Sequence, residues 1–153
     1  MKMREWVVHY KEATMRFLDV AEALSSSDLD KSDKEGWSPR QVIHHMADSE
    51  AQSYARLRRL IAEPGTVIQG YDEGAWAQNP ILGYQTESVD SALAVIRAVR
   101  ESSYQLLMRL PETHLDNSGI HSESGNYSVR TWVETYTKHP LEHASQIQSQ
   151  IQG

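Results

Sequence analysis

Four stretches of helix-period apolar spacing, with no sustained two-residue alternation between them, leave this chain little choice but to pack helix on helix. The first stretch runs from about Arg4 to Leu24 and carries Trp6, Tyr10, Phe17, Ala21 and Leu24 on one stripe. A polar run from Ser25 to Gly36 follows it. The second has the clearest start signal: Ser38 as N-cap, Pro39 at the first helical position, and Gln41 three residues after the cap to close a capping box. It continues to about Ala62, where Pro64-Gly65 stops it. The third extends from about Ser88 to Leu110 with Ala92, Val95, Ile96, Val99, Leu106 and Leu107, and Pro111 lies beyond its end. Ser128 caps a fourth, from Val129 to about Ile151. Helices of this size are about 30–36 Å long. Each has a single apolar stripe, so the pattern predicts an all-α fold, a four-helix bundle. With 153 residues, the chain is expected to form one domain over 1–153 and to bury a core without staples.

The connection from Glu63 to Thr86 is long for a bundle loop and rich in turn residues and aromatics, among them Gly70, Tyr71, Gly74, Trp76, Pro80 and Tyr84. Two readings stand for it: a lid or pocket wall, or a crossover covering the bundle's end.

Composition removes several classes of function. There is no cysteine, which excludes disulfides, thiolate zinc sites and a cysteine nucleophile. A net charge of −6 argues against a nucleic-acid partner, whose phosphates need neutralising by Lys and Arg. The short basic run Arg56-Leu57-Arg58-Arg59 reads as a solvated helix face. The N-terminus lacks the apolar run of a signal peptide, and no window is long and apolar enough for a membrane helix, so a cytoplasmic protein is expected.

Seven histidines remain: His9, His44, His45, His114, His121, His139 and His143. Of these only His139 and His143 stand four apart, the spacing that points two imidazoles at a common ion from one helix face. Steps of three and four from Trp132 through Tyr136 to Ile147 and Ile151 put both on the inward stripe. On the second helix Val42, His45 or Met46, Ser49, Ser53 and Leu57 form the corresponding stripe. Neighbours on a helix diverge by about 100°, so His44 and His45 cannot face one ion, and the step from Val42 favours His45. Three buried imidazoles without partners would each cost about 1–3 kcal/mol. A metal ion resolves this, as does an ordinary set of interior hydrogen bonds, and spacing alone leaves both open. Asp48, Glu50, Glu134 and Glu142 are the nearby acceptors for the second ring nitrogens. His9, His114 and His121 fall at a helix start or in loops and read as surface residues. Pro140, directly after His139, removes a helical hydrogen bond to Tyr136, so the fourth helix either kinks there or breaks and restarts.

The run from Gly36 to Glu50 (Gly36-Trp37-Ser38-Pro39 through His44-His45-Met46-Ala47-Asp48) resembles the second-helix start of the DinB/YfiT-like superfamily. The segment from Gly70 to Trp76 is similar to a loop of its YfiT-type branch, and His139-Pro140-Leu141-Glu142-His143-Ala144-Ser145-Gln146-Ile147 to its closing H-x3-H-x2-Q-I signature. In that pattern the histidine three residues before the aspartate is the ligand, which is His45 here. The resemblance implies a bundle with long crossover connections and a divalent ion, zinc or nickel, held by His45, His139 and His143. It also implies a homodimer, and either metal-dependent hydrolysis or transfer of a low-molecular-weight thiol such as bacillithiol onto a small-molecule electrophile. The chain starts near the first helix, so no pocket wall is expected from the N-terminal segment of YfiT-type proteins. Pro140 between the two ligand positions is a further departure from the pattern.

Three neutral imidazoles with an open fourth position suit a catalytic metal, which lowers the pKa of a bound water or thiol. Asp72, Tyr71 and Trp76 are expected at the mouth, no residue stands out as general base, and Glu50 and Glu142 are the nearest candidates. The alternative from another class is a non-catalytic, stress-associated bundle whose metal is structural or absent.

Overall fold

The structure, a computed structural model, describes residues 1–152. Four long helices dominate it: α1 (Met3–Glu22), α2 (Pro39–Ala62), α4 (Asp90–Arg109) and α5 (Val129–Gln152). A short helix, α3 (Glu73–Gln78), and a 3-10 turn at Pro80–Leu82 lie in the long connection after α2. The expected boundaries hold to within about two residues, and the caps explain why. Ser38 Oγ accepts from the Gln41 amide while Gln41 Oε1 accepts from the Ser38 amide at 3.0 Å. Ser128 Oγ accepts from the Thr131 amide at 3.1 Å and so opens α5.

Helix α1 packs against α5 and α4, and α2 packs against α4 and α5. The apolar core forms two clusters, one at each end of the bundle. Tyr10, Leu57, Leu107, Trp132 and Tyr136 belong to the first, and Phe17, Val42, Met46, Ile96, Ala144 and Ile147 to the second. Helices α1 and α5 therefore run from the first cluster to the second, while α2 and α4 run the other way. The neighbours α2 and α4 are thus parallel, and the chain between them must travel back along the bundle. That is the physical reason for the long connection, and α3 lies on its path.

Three short strands lie outside the helical bundle. β1 (Val67–Ile68) pairs in parallel with β2 (Ser118–His121), which pairs antiparallel with β3 (Gly125–Ser128). Pieces of two to four residues are too short to show a period of two. Gly119 is required in β2, because a side chain there would collide with the Thr66 carbonyl oxygen.

Between the clusters lies a buried polar layer. Arg100, 1 % exposed, donates from Nη1 to Glu50 Oε1 at 2.9 Å and to the Tyr136 carbonyl at 2.7 Å. Its Nε donates to Thr14 Oγ1 at 2.8 Å, and its Nη2 to the Tyr10 carbonyl at 3.1 Å. Tyr136 is the residue whose carbonyl loses its helical partner because Pro140 has no N–H. Arg100 supplies the missing donor, and α5 continues through the proline without ending. The solvated-face expectation for the basic run also needs correction at Arg56. That side chain is half-buried and donates to Tyr136 Oη at 3.1 Å and to the Gln69 carbonyl at 2.7 Å. No helix among the described residues is long and apolar enough to cross a membrane.

Removing one partner of a buried ion pair leaves the other charged and unpaired, at a cost of about 3–5 kcal/mol. Arg100→Met is expected to destabilise the fold by that order in urea unfolding. Pro140→Ala should recover about 1 kcal/mol in the Arg100→Met background, because its new N–H reaches the orphaned Tyr136 carbonyl. A gain from Pro140→Ala no larger than in the parent would contradict this pairing.

Candidate metal centre

His45 on α2 and His139 and His143 on α5 meet where the two helices pack antiparallel, beside the polar layer. His139 Nε2 lies 3.2 Å from His45 Nε2 and 2.9 Å from His143 Nε2. All three ligating nitrogens fall within 4.8 Å of one another, a group that could hold a metal ion. Nitrogens about 2.0–2.1 Å from a shared tetrahedral ion sit about 3.3 Å apart, so the spacing fits. The donor chemistry fits as well. Burial pushes His45 down to about 4 and His139 down to about 3, and the neighbouring imidazoles add to the effect. Burial also lowers His143, partly countered by its hydrogen bond to Gln146 and by the charges of Glu142 and Glu73. The rings are therefore neutral at pH 7, as ligands must be.

His44 points elsewhere, as its neighbour's inward position requires. Its ring stacks on Tyr84 at 5.8 Å between centroids, and Nε2 meets the Glu87 carbonyl at 3.1 Å. His9 is exposed on α1. His121 Nδ1 accepts from the Glu123 amide at 3.1 Å and closes the β2–β3 turn.

The expected outer acceptors are not the real ones. Asp48 accepts from Tyr84 Oη at 2.6 Å, and Glu50 is fully buried against Arg100. Glu134 is exposed, and Glu142 pairs with Lys138 at 3.4 Å on the surface. Neither Glu50 nor Glu142 is among the residues that line the cleft onto the imidazoles. The one protein group hydrogen-bonded to the triad from outside, among the described residues, is Gln146, whose Oε1 lies 2.7 Å from His143 Nδ1. His45 Nδ1 and His139 Nδ1 are buried without a partner.

A cleft of about 420 Å³ opens onto the imidazoles and is lined by Trp37, His45, Glu73, Gly74, His139, His143 and Gln146. The connection after α2 is thus both crossover and pocket wall. Its contribution differs from the expected mouth: Asp72 Oδ1 caps α3 by accepting from the Ala75 amide at 3.0 Å, and the Tyr71 ring packs tilted against Trp76 at 4.6 Å between centroids. Those contacts set α3 in place, and Glu73 and Gly74 face the site. Gln146, three residues after His143 on the same face, was visible in the spacing; Glu73 had no local signal.

Unfolded imidazoles titrate near 6.5, well above the native values, so between about pH 6.5 and 4 the unfolded state binds more protons. Metal-free protein should therefore lose stability as pH falls from 7 to 5, by about 4 kcal/mol in total if two histidines dominate. Denaturant unfolding with chelator present checks this, and a flat profile from pH 7 to 5 would contradict the burial of neutral rings.

Comparison with known proteins agrees with this geometry. Residues 9–147 match the DinB superfamily. An Oceanobacillus iheyensis protein named "Putative metal-dependent hydrolase" is 32% identical over 96% of this chain and 84% of its own length. Bacillus subtilis YfiT, with the same designation, is 26% identical over 94% of this chain and 80% of its own. The solved structure of YfiT, described as "a probable metal-dependent hydrolase with an unusual four-helix bundle topology", superposes with a TM-score of 0.86 at 25% identity, covering 97% of this chain and 85% of that one. The chain belongs to the DinB superfamily.

Proposed function

We propose that this protein is a metal-dependent hydrolase acting on a small molecule, with a zinc- or nickel-type ion held by His45, His139 and His143. The observation that carries this reading is the convergence of three neutral imidazoles, with no fourth histidine or carboxylate in the group among the described residues, at the floor of an open cleft. A structural site is normally closed by four protein ligands, whereas three leave a position for chemistry. Imidazole donors suit zinc and nickel alike. When bound, such an ion supplies Lewis acidity that lowers the pKa of a coordinated water or thiol and polarises a substrate oxygen.

The chain's own groups then divide the remaining work. Glu73, the only carboxylate lining the cleft among the described residues, accepts the proton that the attacking water gives up and returns it to the leaving group. Trp37, whose ring meets His45 edge-on at 6.0 Å between centroids, gives the substrate an apolar wall and limits solvent on that side. Gly74 lines the cleft beside Glu73. Transfer of a low-molecular-weight thiol, which the family resemblance implies, would use the same triad and the same proton acceptor, with the thiol in place of water.

The test is a panel of simple esters and amides, alongside a small thiol with a chlorinated or epoxide electrophile, each run with and without chelator. A chelator-sensitive hydrolytic rate is expected. Conjugation without hydrolysis would select thiol transfer, and no chelator-sensitive rate on either arm would sink both. Glu73→Gln is expected to lower kcat by about 10²–10⁴-fold while leaving the affinity for the metal unchanged.

A further inference from the structure

Asp33 lies in the connection between α1 and α2, far in sequence from His139 and His143, yet it reaches the site with both of its oxygens. Oδ1 accepts from the Glu35 amide at 2.9 Å and the Trp37 amide at 3.0 Å, which folds the turn that carries Trp37. Oδ2 accepts from Gln150 Nε2 at 3.0 Å and from Gln146 Nε2 at 3.4 Å. These contacts and the turn hold the carboxyl below its ordinary range despite partial burial.

A carboxylate only accepts, so Gln146 must turn its NH2 toward Asp33 and its Oε1 toward His143. An amide oxygen only accepts too, so His143 Nδ1 must carry the ring proton. The lone pair of His143 is then fixed on Nε2, the nitrogen that faces His139 and the centre of the triad. Polarity is passed along three side chains from a loop carboxylate to an imidazole, and each link has one allowed direction.

We propose that Asp33 is a positioning residue: through Gln146 it sets the tautomer of His143 and so readies the triad for a cation. This rests on the metal reading above. Gln146 is the only outer hydrogen-bond partner the triad has among the described residues, so no parallel contact compensates if the relay is reversed. Loss of such an outer partner typically lowers metal affinity by about 10–100-fold.

Asp33→Asn tests the proposal with the size of the side chain unchanged. The amide oxygen can keep the Glu35 and Trp37 turn, while the NH2 that replaces Oδ2 faces the NH2 groups of both Gln146 and Gln150; Gln150 retains the Trp37 carbonyl as acceptor, and Gln146 is forced to flip. Gln146 then donates to His143 Nδ1 and moves the ring proton to Nε2. Two readouts follow: the zinc dissociation constant by competition with a chromophoric chelator, and the His143 tautomer of metal-free protein by long-range proton–nitrogen NMR. The expected result is a zinc affinity about 10–100-fold weaker, with His143 protonated on Nε2. The double variant Asp33→Asn/Gln146→Glu restores the original polarity at the original net charge. A carboxylate at 146 accepts from both the new amide and His143 Nδ1, so affinity should return to within a few-fold of the parent.

An Asp33→Asn variant with parental affinity and an unchanged tautomer would overturn the proposal. So would weakened binding that the double variant fails to restore, since that is the signature of a lost charge or a damaged loop. If the parent itself binds no zinc, the metal reading fails separately, and the NMR comparison still decides whether Asp33 sets the tautomer.

Discussion

A single guanidinium, buried at the waist of the bundle, touches three helices besides its own. Arg100 projects from α4 and donates to Tyr10 and Thr14 on α1, Glu50 on α2 and the Tyr136 carbonyl on α5. Burying such a charge is tolerable only when its donors are met and a countercharge is at hand, and both conditions hold here. The contact to Tyr136 matters most for the site. Pro140 removes a rung of the α5 ladder directly after His139, and the open carbonyl lies one turn before it. With Arg100 on that carbonyl, α5 runs unbroken and His139 and His143 stay on one face. Without it, a break at Pro140 would turn the two rings apart.

The second constraint is topological. Because α2 and α4 are parallel neighbours, the chain between them has to return along the bundle, and its path takes α3 past the triad. The wall of the cleft is therefore a by-product of connectivity, and Glu73 enters the site from a segment whose first duty is to cross over. Function in such a fold belongs to the residues placed around the opening, since the bundle itself supports many chemistries. Here those residues are Trp37 and Glu73, brought from two different connections to the cleft over three inward histidines.

What could be read from the sequence follows from how local its cause is. The capping box at Ser38, the helix limits and the inward placement of His45 rather than His44 depend on neighbours within a turn or two, and all stand in the structure. The two histidines on α5 were legible for the same reason. Arg100 was not: it sits among apolar positions of its helix, and only partners on three other helices make its burial tolerable. Asp33 was invisible because its link to Gln146 spans 113 residues. The acidic residues near the histidines in sequence drew attention as acceptors, yet sequence neighbours on a helix mostly point away from one another. Glu50 went to the ion pair, Asp48 to Tyr84, and Glu134 and Glu142 to solvent.

The most direct measurement is the metal content and ligand environment of protein purified without a histidine tag, beside the His139→Ala variant. One divalent ion per chain is expected in the parent, with X-ray absorption showing three imidazole nitrogens at about 2.0–2.1 Å for zinc. The ion should be lost from His139→Ala. Content well below one per chain after loading, or an ion retained unchanged by His139→Ala, would contradict a triad-held metal.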